Sequence, residues 1–294
     1  MIDYAQLAAL AAVVRTGSFE KAAEHLNVTP SAISQRVKLL EERSGQVLVI
    51  RGQPCTATPA GARLCRHAQE VSLLEHGLRD DLRGVVSGDT PVTIRIAVNA
   101  DSLATWFIPA MAAVDGLLFD VVLDDQDHSA EWLKRGDVSA ALTSVSHPIQ
   151  GCGSRSLGAL RYRATANPDF VRRWFPEGVT EDALRRAPCL SFNEKDELQA
   201  RWLKQVFGRR ITTPVHWLPS SQAFVDAALA GLGWGMNPEH LAGRHLRAGD
   251  LVEIVPGQPQ DVGLFWQWSR AVEPAVKPLT EAVVAAARAA LVQV

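Results

Sequence analysis

Cysteine is scarce and scattered: Cys55, Cys65, Cys152 and Cys189 are the four in 294 residues. None forms a CxxC pair, and no nearby histidine completes a zinc set, so no metal site is expected. Free thiols in a reduced protein are the simplest reading, with a redox switch between two of them as the alternative. Long apolar runs are also missing, because Arg, Asp, Glu or Pro interrupts each one before it can span a membrane. No positively charged start leads into an apolar core, so no secretory signal and a cytoplasmic location are expected. Nor is there an excess of one charge: the formal net charge is −2, which excludes a nonspecific polycation. The common enzyme signatures GxSxG, GxxxxGKS/T and HExxH do not occur. The glycines from Gly231 to Gly235 lack the strand, helix and acidic partner of a dinucleotide site and read as a tight corner. No catalytic residue and no cofactor are therefore expected.

What the chain does have is concentrated between Gly17 and Arg51, GSFEKAAEHLNVTPSAISQRVKLLEERSGQVLVIR. Ser18 is a good N-cap, and the helix formers after it stop at Asn27-Val28. Thr29 then caps a second helix, with Pro30 at the first helical position, where no amide donor is missed. Ile33, Val37 and Leu40 recur at helical spacing and should face a core. Ser31, Ser34, Gln35 and Lys38 fall opposite, with Thr29 and Arg36 beside them. Ser and Gln suit base edges; Lys and Arg suit phosphates or guanine. This is how a helix-turn-helix presents one helix to the DNA major groove. An upstream helix, Tyr4 to Arg15, carries Leu7, Leu10, Ala11 and Val14 on one face and would brace the pair. A plain helical hairpin fits the bare pattern equally well. The next segment favours DNA, because Val47 to Arg51 and Cys55 to Ala57 flank a turn and read as a wing. Arg51 is its natural phosphate contact. Over residues 1–66, Lys and Arg outnumber Asp and Glu eight to five, so the electrostatic footprint must be local.

Thr58-Pro59 opens a long helix in which Leu64, Ala68, Val71, Glu75, Leu78, Leu82 and Val85 step by four and three. That is a coiled-coil seam flawed at Glu75, with an ordinary amphipathic helix as the alternative. Val86 to Pro91 reads as a hinge. Strand and helix patterns then alternate. Strands are expected at Val92–Val98, Phe119–Leu123, Val138–Thr143, Cys189–Phe192, Thr213–Leu218 and Val262–Trp268. This describes α/β units with a largely parallel sheet and a final helix from Ala275 to Val292. Ligands in such sheets bind at the carboxyl ends of strands. That rule gathers Ser102, Asp125, Asp127, His128, Thr143, Asn193, Asp196, Ser221 and Gln222 around a mouth, with Trp106 as a cation–π wall or as core.

The Gly17–Arg51 stretch resembles the N-terminal domain of LysR-type transcriptional regulators: a serine-initiated helix, Ser31-Ala32-Ile33-Ser34, Leu40-Glu41, then a Gly and a wing Arg. Leu48-Val49-Ile50 departs from the Leu-Phe common before that Arg but keeps the wing apolar. The segments AVNADSLATWFIPA, DDQDHSAEWLKRGDVSAALT, PIQGC, LGALRYRATA and AGLGWGM resemble the ArgP/LysG branch, which controls lysine and arginine export. The resemblance implies an N-terminal all-α winged helix-turn-helix domain (residues 1–58) and a linker, or dimerisation, helix and hinge (59–90). Two α/β lobes of periplasmic-binding-protein-like architecture follow (91–161 plus 268–294, and 162–267). It implies double-stranded DNA at a promoter as partner, self-association as a dimer or tetramer, contact with RNA polymerase, and lysine or arginine as effector. A regulator with a different small-molecule effector is the alternative. A basic amino acid needs donors for its carboxylate and acceptors for its cationic ends, which the hydroxyl of Ser102 and the charges of Asp125 and Asp127 would supply.

The outward placement of Gln35 has a direct test. Gln35→Ala should weaken specific operator binding by about 1–3 kcal/mol in a gel-shift assay and leave effector binding unchanged.

Overall fold

The computed structural model describes residues 3–81, 91–124 and 129–293. They divide into two compact units. One comprises residues 1–94, 116–118 and 271–275; the other comprises 95–115, 119–270 and 276–294.

The smaller unit opens with α1 (Tyr4–Thr16), α2 (Phe19–His25) and α3 (Pro30–Ser44). Each starts on a side-chain cap that satisfies an otherwise orphaned amide. Asp3 Oδ1 accepts from Ala5 N at 2.8 Å, Ser18 Oγ from Lys21 N at 3.3 Å, and Thr29 Oγ1 from Ala32 N at 3.2 Å. Asn27 makes the turn between α2 and α3 at φ 52°, a left-handed conformation that Asn tolerates better than most residues. Leu7, Leu10, Val13, Ala22, Ala23, Ile33, Val37 and Leu40 form the core with Leu48 and Val49. α1 is buried more broadly than its expected stripe. Gln6, Ala9, Ala12 and Val13 are buried too, whereas Ala11 and Val14 are only half-buried, because three helices pack around it.

The wing is β1 (Val49–Ile50) and β2 (Thr56–Ala57), paired antiparallel. Glu41, in the last turns of α3, accepts from Leu48 N at 2.8 Å and Val49 N at 3.3 Å. α4 (Pro59–Asp81) follows, capped by Thr58 Oγ1 accepting from Gly61 N at 3.1 Å. Leu64 and Ala68 pack against the core of the three helices. Farther along, Leu74 and Leu78 stand 45% and 56% exposed. The expected seam positions Leu82 and Val85, and hinge residues 86–90, lie outside the described residues.

Beyond the described part of α4, β3 (Val92–Asn99) enters the larger unit from Arg95 and leads into α5 (Ala100–Ser102), a π-helical turn over Leu103–Phe107, and α6 (Ile108–Ala112). β4 (Leu117–Asp124), α7 (Ser129–Lys134) and β5 (Ala140–Thr143) complete the first strand–helix alternation. β6 (Cys152–Ala166) comes next, followed by α8 (Pro168–Trp174), α9 (Glu181–Leu184), β7 (Cys189–Ser191) and α10 (Leu198–Phe207). The chain continues through β8 (Val215–Trp217), α11 (Ser221–Leu229), β9 (Gly235–Pro238), α12 (Glu239–Ala248) and β10 (Val252–Glu253). It ends with β11 (Gln260–Ser269) and α13 (Glu273–Ala290).

The main sheet runs β10-β6-β11-β5-β3-β4, with β9 also on β6; β7 and β8 form a separate parallel pair. The sheet is mixed where a largely parallel one was expected: β3 and β5 are parallel, but β11 is antiparallel to both β5 and β6. β6 was not anticipated, and it runs without a break through the expected lobe boundary at 161/162. Arg161 on β6 grips its cross-strand partner Asp261 with two hydrogen bonds of 2.7 Å. Arg163 reaches Glu239 and Glu253, binding the start of α12 and β10 to the same strand. α13 returns along the sheet, where Trp266 Nε1 donates to Thr280 Oγ1 at 3.0 Å and Val292 bridges to Ala159.

Gly61 marks a backbone contact that admits no side chain. A Cβ there would sit 2.0 Å from Leu48 O. Gly61→Ala should therefore destabilise the helix-turn-helix unit by at least about 2 kcal/mol, read as a lower urea midpoint of the full chain.

Candidate DNA-reading face and effector cavity

On α3, burial of Ile33, Val37 and Leu40 forces the opposite face outward. Thr29, Pro30, Ser31, Gln35 and Lys38 are exposed, and Ser34 and Arg36 are half-buried. The Lys38–Glu42 ion pair, at 3.7 Å between exposed groups, is worth little in water and leaves the lysine available to a phosphate. Ser18 does not project as a separate contact: its hydroxyl caps α2 and donates to Glu20 Oε2 at 2.6 Å. Arg51 is exposed on the wing, with its guanidinium 5.2 Å from the ring centre of Phe19. This orders the side chain without consuming its hydrogen-bond donors. The result is a helix of short hydrogen-bonding groups flanked by two cations, the arrangement a major groove accepts.

The larger unit holds a cavity at the carboxyl end of β3. It encloses about 440 Å³ of space, part of it open to solvent. Its wall includes Asn99, Ala100 and Asp101, with Phe192, Asp196, Leu198 and Gln199 from around α10, Ser221 and Phe224 from α11, and Met236 from β9. Half of these wall residues are apolar, and among the described residues Asp101 and Asp196 are the only charged ones in the wall. Asp101 is half-buried, and Tyr162 on β6 donates its hydroxyl to Asp101 Oδ2 at 2.7 Å. Burial pushes the Asp101 carboxyl up from its ordinary range, as does the nearby Asp196; the Ser221 and Tyr162 hydroxyls act against that rise. Asp196 accepts from Ser191 Oγ at 3.2 Å, Phe192 N at 3.0 Å and Leu198 N at 3.0 Å. Gln199 is buried; its amide nitrogen donates to Leu190 O at 2.8 Å, and its Oε1 has no hydrogen-bond partner.

The structure brings only part of the expected effector set to this wall. Asp196 and Ser221 line it. Ser102 does not: the helix begins at Ala100 behind Asn99, so Ser102 lies within its first turn, with its hydroxyl buried and unpartnered. Trp106 is core, 3% exposed and stacked edge-on against Phe107 at 5.5 Å. Thr143 is buried and accepts from Val145 N at 3.1 Å, and Asn193 closes a local turn by accepting from Lys195 N at 2.8 Å. Gln222 is exposed and reaches Asp226 on its own helix at 3.4 Å, because one residue beyond Ser221 turns the side chain away from the cavity. Asp125, Asp127 and His128 lie outside the described residues. Asp101, Gln199 and Tyr162 were missed. An acid in a polar loop reads as solvated, and only the fold reveals its enclosure.

All four cysteines carry free thiols. Burial pushes Cys65 up to about 11, with Arg66 acting against it, and raises Cys152 and Cys189 as well. Thiols shifted this way are poor nucleophiles.

A DNA-reading helix and a small-molecule cavity on one chain define a ligand-responsive regulator. Residues 4–62 match the bacterial regulatory helix-turn-helix proteins of the lysR family, and residues 87–288 match the LysR substrate binding domain. The chain belongs to the LysR family of transcriptional regulators, and is a regulator rather than an enzyme. It is 45% identical over 286 residues to the HTH-type transcriptional regulator LysG of Mycobacterium bovis, covering 97% of this chain and 94% of that protein. The crystal structure of ArgP from Mycobacterium tuberculosis is similar over all of both chains, with 43% identity and a TM-score of 0.81. So is full-length LysG from Corynebacterium glutamicum with bound effector Arg, at 36% identity and a TM-score of 0.68, covering 99% of this chain and 100% of that one. Among the described residues no helix is long and apolar enough to cross a membrane.

The raised Asp101 carboxyl sets a pH dependence. The folded chain holds this proton more tightly than the unfolded chain, so the contribution to stability falls as pH rises above the ordinary carboxylate range. Asp101→Asn removes that decline. Thermal melts of the ligand-free protein between pH 4.5 and 8 should show the variant gaining on the parent as pH rises.

Proposed function

We propose that this LysR-type regulator senses a basic amino acid, lysine or arginine, in the cavity at the end of β3 and so controls an amino-acid exporter gene. The observation that carries the reading is the pair Asp101 and Asp196, both acidic, in a wall with no other charge among the described residues. A cation entering such a site gains far more than it would in water. The apolar surfaces of Phe192, Phe224 and Met236 suit the methylene stem of the same ligand. The similar LysG with bound effector Arg supports the same ligand class.

In this reading the regulator acts in the cytoplasm as a dimer or tetramer. The exposed Leu74 and Leu78 of α4 suit a partner helix. It engages a promoter through Ser31, Ser34, Gln35 and Arg36, with Lys38 and Arg51 on the phosphates. Effector binding favours one arrangement of the paired DNA-binding domains and thereby alters productive contact with RNA polymerase. Only a difference in effector affinity between two arrangements can drive this.

Isothermal titration of the purified protein with lysine, arginine, glutamate and an aromatic acid tests the reading. Heat with one or both basic amino acids, and none with the other two, is expected. Silence with both bases and clear heat with another ligand would replace the effector class and leave the regulator standing.

A further inference from the structure

α4 carries two neighbouring faces of opposite character. Leu74 and Leu78 are exposed, while Leu73 and Gly77 are buried. Residues four apart share a helix face, so the second face is covered by this chain itself. The cover comes from far along the sequence: residues 116–118 and 271–275 belong to the same compact unit as α4. A Cβ on Gly77 would lie 3.1 Å from Ala275 N and 3.4 Å from both Ala275 Cα and Pro274 Cβ, in the first turn of α13. One residue earlier, His76 meets Gly116, where a Cβ would lie 3.0 Å from the imidazole Cε1. Gly116 also holds φ at 76°, a conformation that side chains disfavour.

Gly116 passes this contact on. Its carbonyl accepts from Val92 N at 3.0 Å. Val92 opens β3, and the last residue of that strand, Asn99, is in the cavity wall. Ile94, Ile96, Ala97, Val98 and Asn99 are all buried, and Ile96 and Ala97 pair with β5. A strand packed this closely transmits strain rather than absorbing it.

We propose that His76 and Gly77 seat α4 on Gly116 and on the first turn of α13, and that this seat, through β3, carries the state of the cavity to α4. It is a contact separate from the covalent link between α4 and β3. It rests on the reading of the cavity as the effector site, and not on which effector enters. A ligand held at Asn99 and Asp101 bears on the end of β3, and the start of β3 bears on α4 through Gly116. Backbone packed against backbone has few intermediate positions, so a small displacement at one end switches the fit at the other. α4 begins on the three-helix core, where Leu64 and Ala68 pack, so a change in its seat is felt at the reading helix. The coupling works in both directions, as linkage requires.

Amide hydrogen exchange of the full-length protein, with and without arginine, is the experiment. Gly77→Leu keeps a good helix former in α4 and puts a side chain where the backbone of Ala275 lies. Without ligand, the variant should exchange about tenfold or more faster at residues 116–118 and 271–275, and the change should extend along β3 to Asn99. In the parent, arginine should slow exchange at residues 99–101 and alter it at 70–78 as well. In Gly77→Leu only the first effect should remain. His76→Ala, which empties the contact with Gly116 without adding bulk, should shrink the effect at 70–78, and it decides should Gly77→Leu fail to fold. Ligand-free exchange that changes in α4 alone, with β3 as in the parent, would overturn the coupling. So would an arginine effect at 70–78 that is undiminished in both variants. Arginine that changes nothing at 99–101 removes arginine as the effector, and the ligand-free comparison of variant and parent then decides this proposal by itself.

Discussion

The antiparallel pairing of β6 with β11 is the constraint on which the larger unit depends. β9 and β10 hydrogen-bond to β6, while β5 attaches to β11 and carries β3 and β4 beyond it. The register runs from Gln260 opposite Tyr162 to Ser269 opposite Cys152, broken once where Leu157 is left without a cross-strand partner. Gly158 takes up this bulge at φ 107° beneath Val292 O, only 2.6 Å from where a Cβ would lie. The same pairing sets the cavity's chemistry. It places Tyr162 under Asp101, and it brings β9, and so Met236, to the wall.

The helix-turn-helix was legible because its signals are local. Caps, a first-turn proline and a three-to-four residue spacing state where α2 and α3 begin and which side is buried. The core positions Ile33, Val37 and Leu40 follow from that spacing alone. β6 was not legible. Its sequence, CGSRSLGALRYRATA, mixes glycine, serine and arginine, and nothing in it announces a fifteen-residue strand. Pairing on both edges makes it one, and ion pairs with Asp261, Glu239 and Glu253 give Arg161 and Arg163 a structural role.

The cavity shows the same division. The rule that ligands lie at strand carboxyl ends led to the end of β3, and there it picked the hydroxyl of Ser102 over the acid beside it. A helix that already starts at Ala100 buries Ser102 and leaves Asp101 in the wall. Asp196 and Ser221 were found because each follows a strand expected from the sequence. Gln199 carried no such mark, since a glutamine in the first turn of α10 is ordinary until its nitrogen is seen to be held by a carbonyl and its buried oxygen to lack a partner.

The close approach of Gly61 to Leu48 has a mechanical consequence. Leu48 hangs by its amide from Glu41 at the end of α3 and accepts, through its carbonyl, from Thr58 N at 3.0 Å. Its backbone is thus clamped between the reading helix and the first turn of α4, with no side chain as cushion. A torque applied along α4 meets no compressible layer before it reaches α3. α4 is a shaft keyed to α3, and a residue without a side chain is the key.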